Sequence, residues 1–469
     1  MSELDRRLTR VIPSERQIAL QRMEMYAFLH FSVNTFTDRE WGDGTESPAL
    51  FNPARFDASQ WIRALKSARM TGAILTCKHH DGFCLWPSRY TEHSVAASPW
   101  RNGQGDAVRE VAEACRREGL RFGVYLSPWD RHSGLYGCGK PYDDYFVAQL
   151  TELLTGYGEV FSVWLDGACG EGPNGKRQHY DWERYYETVR RLQPNACIHV
   201  CGPDIRWCGN EAGDTRPSEW SVVPRRARDT EKVASLSQQA DDPTFRQRTI
   251  RAQDRDLGSR EVLADEQELI WYPAEVNTSI RPGWFWHAAE DERVRPLEEL
   301  IRIYERSVGG NATFLLNVPP TSEGLLHEND VQRLAEFGAY LRDAYGRNLL
   351  LEPETSLIAS PGGALAAPLT DDATWYAGEE GQPAEIMVRW PEPRSFRRVV
   401  LQENIRLSQR VEQFTIDIET PEGWREVCAG TVIGFKRIVA LPRTAARAVR
   451  ICVTDCRCAP MLAFLGIYA

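Results

Sequence analysis

The chain has 469 residues, 42% of them hydrophobic and 26% charged, with a formal charge of -10. That length exceeds one ordinary core and implies two or three domains, and the acidic balance repels phosphate backbones, arguing against nucleic acid as a partner. No apolar run approaches the ~18 residues of a membrane span. The N-terminus MSELDRRLTRVIPSERQ is charged where a secretory leader would be apolar, and the 12 cysteines contain no CxxC pair. Cys452, Cys456 and Cys458 lack zinc-ribbon spacing. These features set the expectation of a reduced, cytoplasmic protein.

From about residue 24 to 345, short apolar runs alternate with amphipathic stretches. MYAFLHF (25–31) is strand-like, and ASQWIRALKSARM (58–70) has helical spacing before the strand TGAILTC (71–77). GDAVREVAEACRREG (105–119) is a helix stopped by Gly119, followed by the strand LRFGVYL (120–126) and the helix DDYFVAQLTELLTGYG. VFSVWLD (160–166) precedes the helical DWERYYETVRRLQP; then come ACIHVC (196–201), LEELIRIYERSVG (297–309) and NATFLLNV (311–318). Strands with two apolar faces alternating with helices mean a parallel sheet covered on both sides. Roughly 320 residues of such units fit a (β/α)8 TIM-like barrel better than an open doubly wound sheet, and no GxGxxG opens a helix. Residues 1–346 are therefore expected to form the barrel.

Beyond residue 346 the pattern changes to β-branched alternation, as in VLQENIRLSQRVEQFTIDIET, GWREVCAGTVIGFKRIVAL and AVRICVTD, with turns expected at ETPEGW and LPRTAAR. Residues 347–469 read as an antiparallel β-sandwich. Its shape suits a carbohydrate-binding module, though the expected role is a buttress against the barrel.

Polar residues fall where apolar strands end: His30 on the first, Lys78-His79-His80 on the second, Tyr125 on the third and Asp166 on the fourth. In a barrel these positions converge on one face. VWLDGACG carries three apolar residues into Asp166, after which Gly167 lets the backbone turn. WCGNEAGDTRPSEW places Glu211 in a glycine-rich, Trp-flanked loop; on pattern alone Glu219 and Asp214 compete with it. One ionised carboxylate and one protonated, desolvated acid are the two parts that glycoside hydrolysis needs. The 15 tryptophans, several of them beside these strand ends, offer flat apolar faces of the kind that sugar rings stack on. His30, His79 and His80, with Asp81 as a fourth ligand, make a zinc site if they meet. Neighbouring residues on a regular strand point to opposite faces, however, and there is no HxH or HExxH. A neutral imidazole both donates and accepts, which suits sugar hydroxyls.

HFSVNTFTDREWGDG, KHHDGFCLWPS, VYLSPWD, VWLDG, the IRWCGNEAG loop, SIRPGWFWH and SVGGNATFLLNVPP occur in that order between about residues 25 and 345. Together they resemble glycoside hydrolase family 29, the retaining α-L-fucosidases. The resemblance implies a barrel followed by a β-sandwich, with Asp166 as nucleophile and no cofactor or metal. In the branch that cleaves α-1,3 and α-1,4 linkages, the acid/base is the Glu of a GNEAG-like loop, which here is Glu211. His30, Glu40, Trp41, His79, His80, Tyr125 and Trp164 match fucose-binding positions. Trp284 and Trp286 are the candidates for a wall at the C6 methyl; at Trp286 relatives more often carry Tyr. Fucosylated oligosaccharides or glycoconjugates are then the expected partners. Two rival readings are a fucose-binding protein that has lost catalysis and a metal-dependent hydrolase. Nothing in the sequence bears on oligomeric state.

Overall fold

The structure, a computed structural model, describes residues 1–237, 255–364, 376–380 and 382–469. Eight parallel strands form its first sheet: β1 (Met25–Leu29), β2 (Gly72–Lys78), β3 (Arg121–Leu126), β4 (Ser162–Leu165), β5 (Cys197–Val200), β6 (Arg206–Trp207), β7 (Ala274–Ser279) and β8 (Ala312–Asn317). Their spatial order is β5-β4-β3-β2-β1-β8-β7-β6. The two ends meet through a single parallel bridge, His199 to Ile205, which nearly closes the sheet into a barrel. Every residue of β1, β2, β4, β5, β7 and β8 is buried, as expected for strands lying between a filled lumen and an outer ring of helices.

The helices follow local rules. Ala58–Ser67 buries Ala58, Trp61, Ile62 and Leu65 on one stripe, and the Asp57 carboxylate accepts the N–H groups of Ser59 (2.8 Å) and Gln60 (3.0 Å) at its start. Ala107–Glu118 ends at Gly119, whose φ of 77° an L-residue would resist. The helix expected from residue 143 begins earlier, at Lys140, because Pro141 in its first turn lacks the N–H that would go unused there.

The barrel departs from eightfold regularity at β5 and β6, which are joined by a short loop with no helix. The outside of that gap is covered by the N-terminal helix Glu15–Gln21. Its Gln17 side chain donates to the carbonyls of Asp204 (2.9 Å) and Trp271 (3.0 Å), and Arg16 pairs with Asp204 at 3.0 Å. The long connection from β6 to β7 holds a two-stranded ribbon, Val222–Pro224 with Leu269–Trp271, and the helix Thr230–Ser237.

The C-terminal residues form the expected antiparallel sandwich. Two 20-residue strands, Ala384–Glu403 and Arg437–Cys456, pair with each other along most of their length. Register shifts let the first of them change its second partner: Ala384–Glu403 runs beside Ser356–Ser360 at its start and Met461–Tyr468 at its end, while Arg437–Cys456 pairs with Val411–Thr420 in its second half. The turn expected at ETPEGW is present between Val411–Thr420 and Gly423–Gly430. The turn expected at LPRTAAR is not: the strand runs straight through it. Pro442 lies in one gap of the ladder, between Ala440 and Thr444 and opposite the Phe396–Arg398 step, and Pro391 and Pro393 lie in a separate gap between Arg389 and Arg394, opposite the Ala446–Ala448 step. Proline cannot donate to a ladder, so the breaks in pairing accommodate it without ending the strand.

The sandwich packs directly on the barrel. Val400, Ile438 and Tyr468 join the barrel's apolar core, Gly310 bridges to Arg437, and the Asn311 side chain spans both parts. Asn311 Nδ2 donates to the Glu219 carbonyl (2.7 Å), and its Oδ1 accepts the Phe435 N–H (2.7 Å). All 12 cysteines carry free thiols, and no helix among the described residues is long and apolar enough to cross a membrane.

Candidate active site

The carboxyl ends of the strands carry the candidate residues. β2 ends at Lys78, and its register against β3 shifts between Thr76 and Lys78. The alternation that would separate adjacent side chains therefore stops there, and the rings of His79 and His80 lie together, 4.1 Å between centroids. His79 stacks on Tyr125 (5.7 Å, 14°), while His80 lies against Trp129 (5.0 Å) and edge-on to Trp41 (5.5 Å). Asp81 is bound to backbone: its carboxylate accepts the Phe83 N–H at 2.7 Å and the Ser32 hydroxyl at 3.2 Å, and burial pushes its pKa up to about 7. Lys78 turns away to pair with buried Asp130 at 2.9 Å.

The histidines are set as neutral rings. Burial pushes His30 down to about 4 and His80 down to about 3, and holds His79 well below its ordinary value. The Ser127 hydroxyl donates to the Trp129 carbonyl (2.6 Å), so its oxygen accepts from His80 Nδ1 (2.7 Å), leaving Nε2 as an acceptor 3.8 Å from Asp166 Oδ2. Asn317 Oδ1 likewise accepts from His30 Nδ1 at 2.8 Å. His79 Nδ1 is buried without a partner among the described residues. Also among the described residues, no three His, Cys, Asp or Glu side chains are grouped to hold a metal ion.

Asp166 follows β4 directly, with its side chain one-fifth exposed (20%). Oδ2 accepts the Tyr125 hydroxyl at 2.9 Å and Oδ1 the Ala168 N–H at 2.9 Å. Burial raises its pKa; those two donors oppose the shift. The helix Thr230–Ser237 packs closely on Gly167 beside it, where a Cβ would lie 2.7 Å from Ser237 Oγ and 2.8 Å from Val233 Cγ1.

The three competing acids separate cleanly. Glu219 is buried between Arg206 and Arg216; burial pushes its pKa up, but the two guanidiniums outweigh that and hold it below the ordinary range. Asp214 pairs with Arg306 at 2.7 Å. Glu211 faces the ring cluster, with Oε2 accepting the Trp284 indole N–H at 3.1 Å. Its loop is stapled by Asn210, which accepts the Ala212 N–H (3.0 Å) and donates to the Asp214 carbonyl (3.0 Å), and the Glu211 carbonyl accepts the Thr278 hydroxyl (2.7 Å).

The remaining expected residues take more varied positions. Trp284 lies 5.2 Å from His30, which connects Glu211 to the histidines and, through Tyr125, to Asp166. Trp164 stacks on Tyr125 (5.5 Å, 27°), but its indole N–H points down to Glu275 at 2.8 Å. Glu40 spends its oxygens on the 283–287 segment, accepting the N–H groups of Trp284 (2.9 Å) and Phe285 (3.1 Å). The indole N–H of Trp286 donates to Asp291 at 3.0 Å. Its neighbour Phe285, fully buried, packs edge-on against His30 (5.4 Å) and His79 (5.0 Å). Phe285, Ser127, Asn317 and Glu275 were not singled out from sequence. Asn317 carried the same signal as His30, a polar residue closing an apolar strand; Glu275 lies inside a strand whose inward polar residues hide its periodicity.

The family model described as Alpha-L-fucosidase matches residues 17–346. Alpha-L-fucosidase 1 of Arabidopsis thaliana is 39% identical over 471 residues, covering 97% of this chain and 87% of that protein. The crystal structure of a putative alpha-L-fucosidase from Bacteroides ovatus is 44% identical with a TM-score of 0.86, over 100% of this chain and 76% of that one. A Ruminococcus gnavus GH29 fucosidase, solved in complex with fucose, is 28% identical with a TM-score of 0.83, over 98% of this chain and 95% of that one. A barrel followed by a sandwich, a carboxylate fixed on β4 and these matches together place the chain in the α-L-fucosidase family, glycoside hydrolase family 29, as a fucose-hydrolysing glycosidase.

Proposed function

We propose that the chain releases α-1,3- or α-1,4-linked fucose from Lewis-type oligosaccharides, acting at the chain end and with retention of configuration. The observation that carries this reading is the pairing of a rigid, doubly hydrogen-bonded Asp166 with a loop-borne Glu211 that faces the same ring cluster. Asp166 attacks the anomeric carbon, forming a carbon–oxygen bond to the carboxylate as the glycosidic bond breaks, and Glu211 gives its proton to the departing oxygen. Glu211 then takes a proton from water, which displaces the carboxylate and frees fucose. This sequence calls for the two carboxyl groups to lie about 5–5.5 Å apart around bound substrate.

His30 and His80 each offer an Nε2 acceptor to a sugar hydroxyl, and the unpartnered Nδ1 of His79 fits the same use. Glu40 retains one lone pair on Oε2 beyond its three contacts at 283–287. Trp284 and Phe285 present the apolar surface for the C6 methyl. Linkage choice rests on the GNEAG loop, and a binding protein without catalysis would need one of the two carboxylates removed or turned away.

The test compares wild type, Asp166→Gly and Glu211→Ala on an aryl α-L-fucoside and a Lewis a trisaccharide, with and without azide. Retention predicts that Asp166→Gly is inactive until azide restores turnover as the β-fucosyl azide, whereas Glu211→Ala with azide yields the α-product. Faster cleavage of 2'-fucosylated lactose than of the trisaccharide would refute the linkage assignment.

A further inference from the structure

The segment GWFWH, residues 283 to 287, is gripped by a small charged cluster. His287 Nε2 lies 2.7 Å from Glu40 Oε1, and its Nδ1 lies 2.6 Å from Asp38 Oδ1. A neutral imidazole has one N–H, so a ring with a carboxylate oxygen at each nitrogen satisfies both only as the imidazolium. Glu40, so held, accepts the backbone N–H groups of Trp284 and Phe285. The approach is close enough to exclude a side chain at Gly283, where a Cβ would lie 2.6 Å from Glu40 Oε1 and 2.8 Å from His287 Cδ2. On the opposite side the Trp284 carbonyl accepts from Asn317 Nδ2 at 2.8 Å. Trp284 is thus fixed at its N–H and its carbonyl, and its indole N–H is the donor to Glu211.

We propose that His287 is a positioning residue for the general acid: as a cation pinned between Asp38 and Glu40, it fixes Trp284 and, through the Trp284 indole, the carboxyl of Glu211. The proposal rests on the reading of Glu211 as acid/base. The hydrogen bond to Glu40 is the largest influence on the ring and outweighs partial burial; with Asp38 and Glu290 also facing it, the His287 pKa rises to about 9. The strut therefore keeps its charge through the neutral range. It acts at a distance from the sugar, touching neither the anomeric carbon nor the leaving oxygen, so its loss is felt as a misplaced proton donor.

Leaving-group dependence distinguishes this role from a general structural one. Departure of an acidic phenol needs little protonation, whereas a sugar or plain phenol needs the acid fully. The experiment measures kcat/KM for 2-chloro-4-nitrophenyl, 4-nitrophenyl and phenyl α-L-fucosides with wild type, His287→Gln, Asp38→Asn and Glu211→Ala. His287→Gln is expected to stay within about threefold of wild type on the most activated substrate and to lose about tenfold or more on the phenyl fucoside, following Glu211→Ala in direction. Asp38→Asn, at an exposed position, is expected to show the same tilt more weakly, and it reports on the strut even if His287→Gln folds poorly. Equal losses on all three substrates, or none, in both strut variants while Glu211→Ala shows the tilt would overturn the positioning role alone. A flat series for Glu211→Ala would overturn the acid assignment and the strut with it.

Discussion

Glu211 and Glu219 belong to one connection and carry the same side chain, yet their neighbours hold them in opposite settings. Glu219 is locked as an anion by Arg206 and Arg216, so it has no proton to give at neutral pH. Removing a buried ion's partner costs about 3–5 kcal/mol because the desolvated charge left behind is uncompensated. Glu219→Gln is accordingly expected to lower the urea midpoint by a stability loss of that order. Tyr125 works on the other carboxylate. Its O–H stabilises the ionised Asp166, so Tyr125→Phe raises a pKa that burial has already raised, and the acid limb of kcat/KM moves to higher pH by about one unit. A limb that stays in place would show that the hydrogen bond does not tune the carboxylate. His30, Tyr125 and Asp166 were legible because each lies at or just beyond the end of an apolar run, where barrel geometry alone directs it to the site. Glu275 was not: it accepts from Trp164 and His199, residues far away in the sequence, and only the closed lumen brings them together.

Among elements, the six strands with continuous apolar runs were readable and the remaining two were not. β6 is two residues long, and β7 reads AEVNTS, in which Glu275, Asn277 and Thr278 are polar yet buried. Residue periodicity reports hydrophobicity, and a barrel lumen that builds a site on polar side chains erases that signal. LPRTAAR misled for the complementary reason: a proline is a strong mark of a turn, but a local break in the pairing of two long strands absorbs it. The 283–287 segment yields a pH prediction of its own. The folded-state pKa of His287, about 9, is raised above the ordinary 6.5, so its stabilising effect is fully present below pH ~6.5 and lost as pH rises through about 9. The Tm advantage of wild type over His287→Gln should therefore be widest near pH 6 and vanish above about 9.5. A gap independent of pH would mean that the ring contributes by packing alone.

At the scale of the whole molecule, barrel and sandwich share contacts that tie them mechanically. Asn311 adopts a φ of 66°, a left-handed conformation that asparagine tolerates better than most residues, and its amide bridges the 219–221 strand entry to Phe435. Asn311→Ala leaves buried backbone groups unpaired and adds backbone strain. About 2–4 kcal/mol should be lost, read as a lower denaturation midpoint with a single transition if the two parts unfold together. The order of barrel and sandwich along the chain was plain from the switch in periodicity after residue 346, but their docking was invisible to pattern, because it is made by scattered residues such as Glu24, Glu305 and Arg398.

The helixless return between β5 and β6 has a consequence for synthesis. Because Glu15–Gln21 patches the wall at that point by bonding to Asp204 and Trp271, it emerges from the ribosome long before the surface it covers exists. Its docking surface is complete only once Trp271, beyond the midpoint of the 469-residue chain, has been made. The barrel is thus finished by its own beginning, and growth from the N-terminus cannot complete it strand by strand.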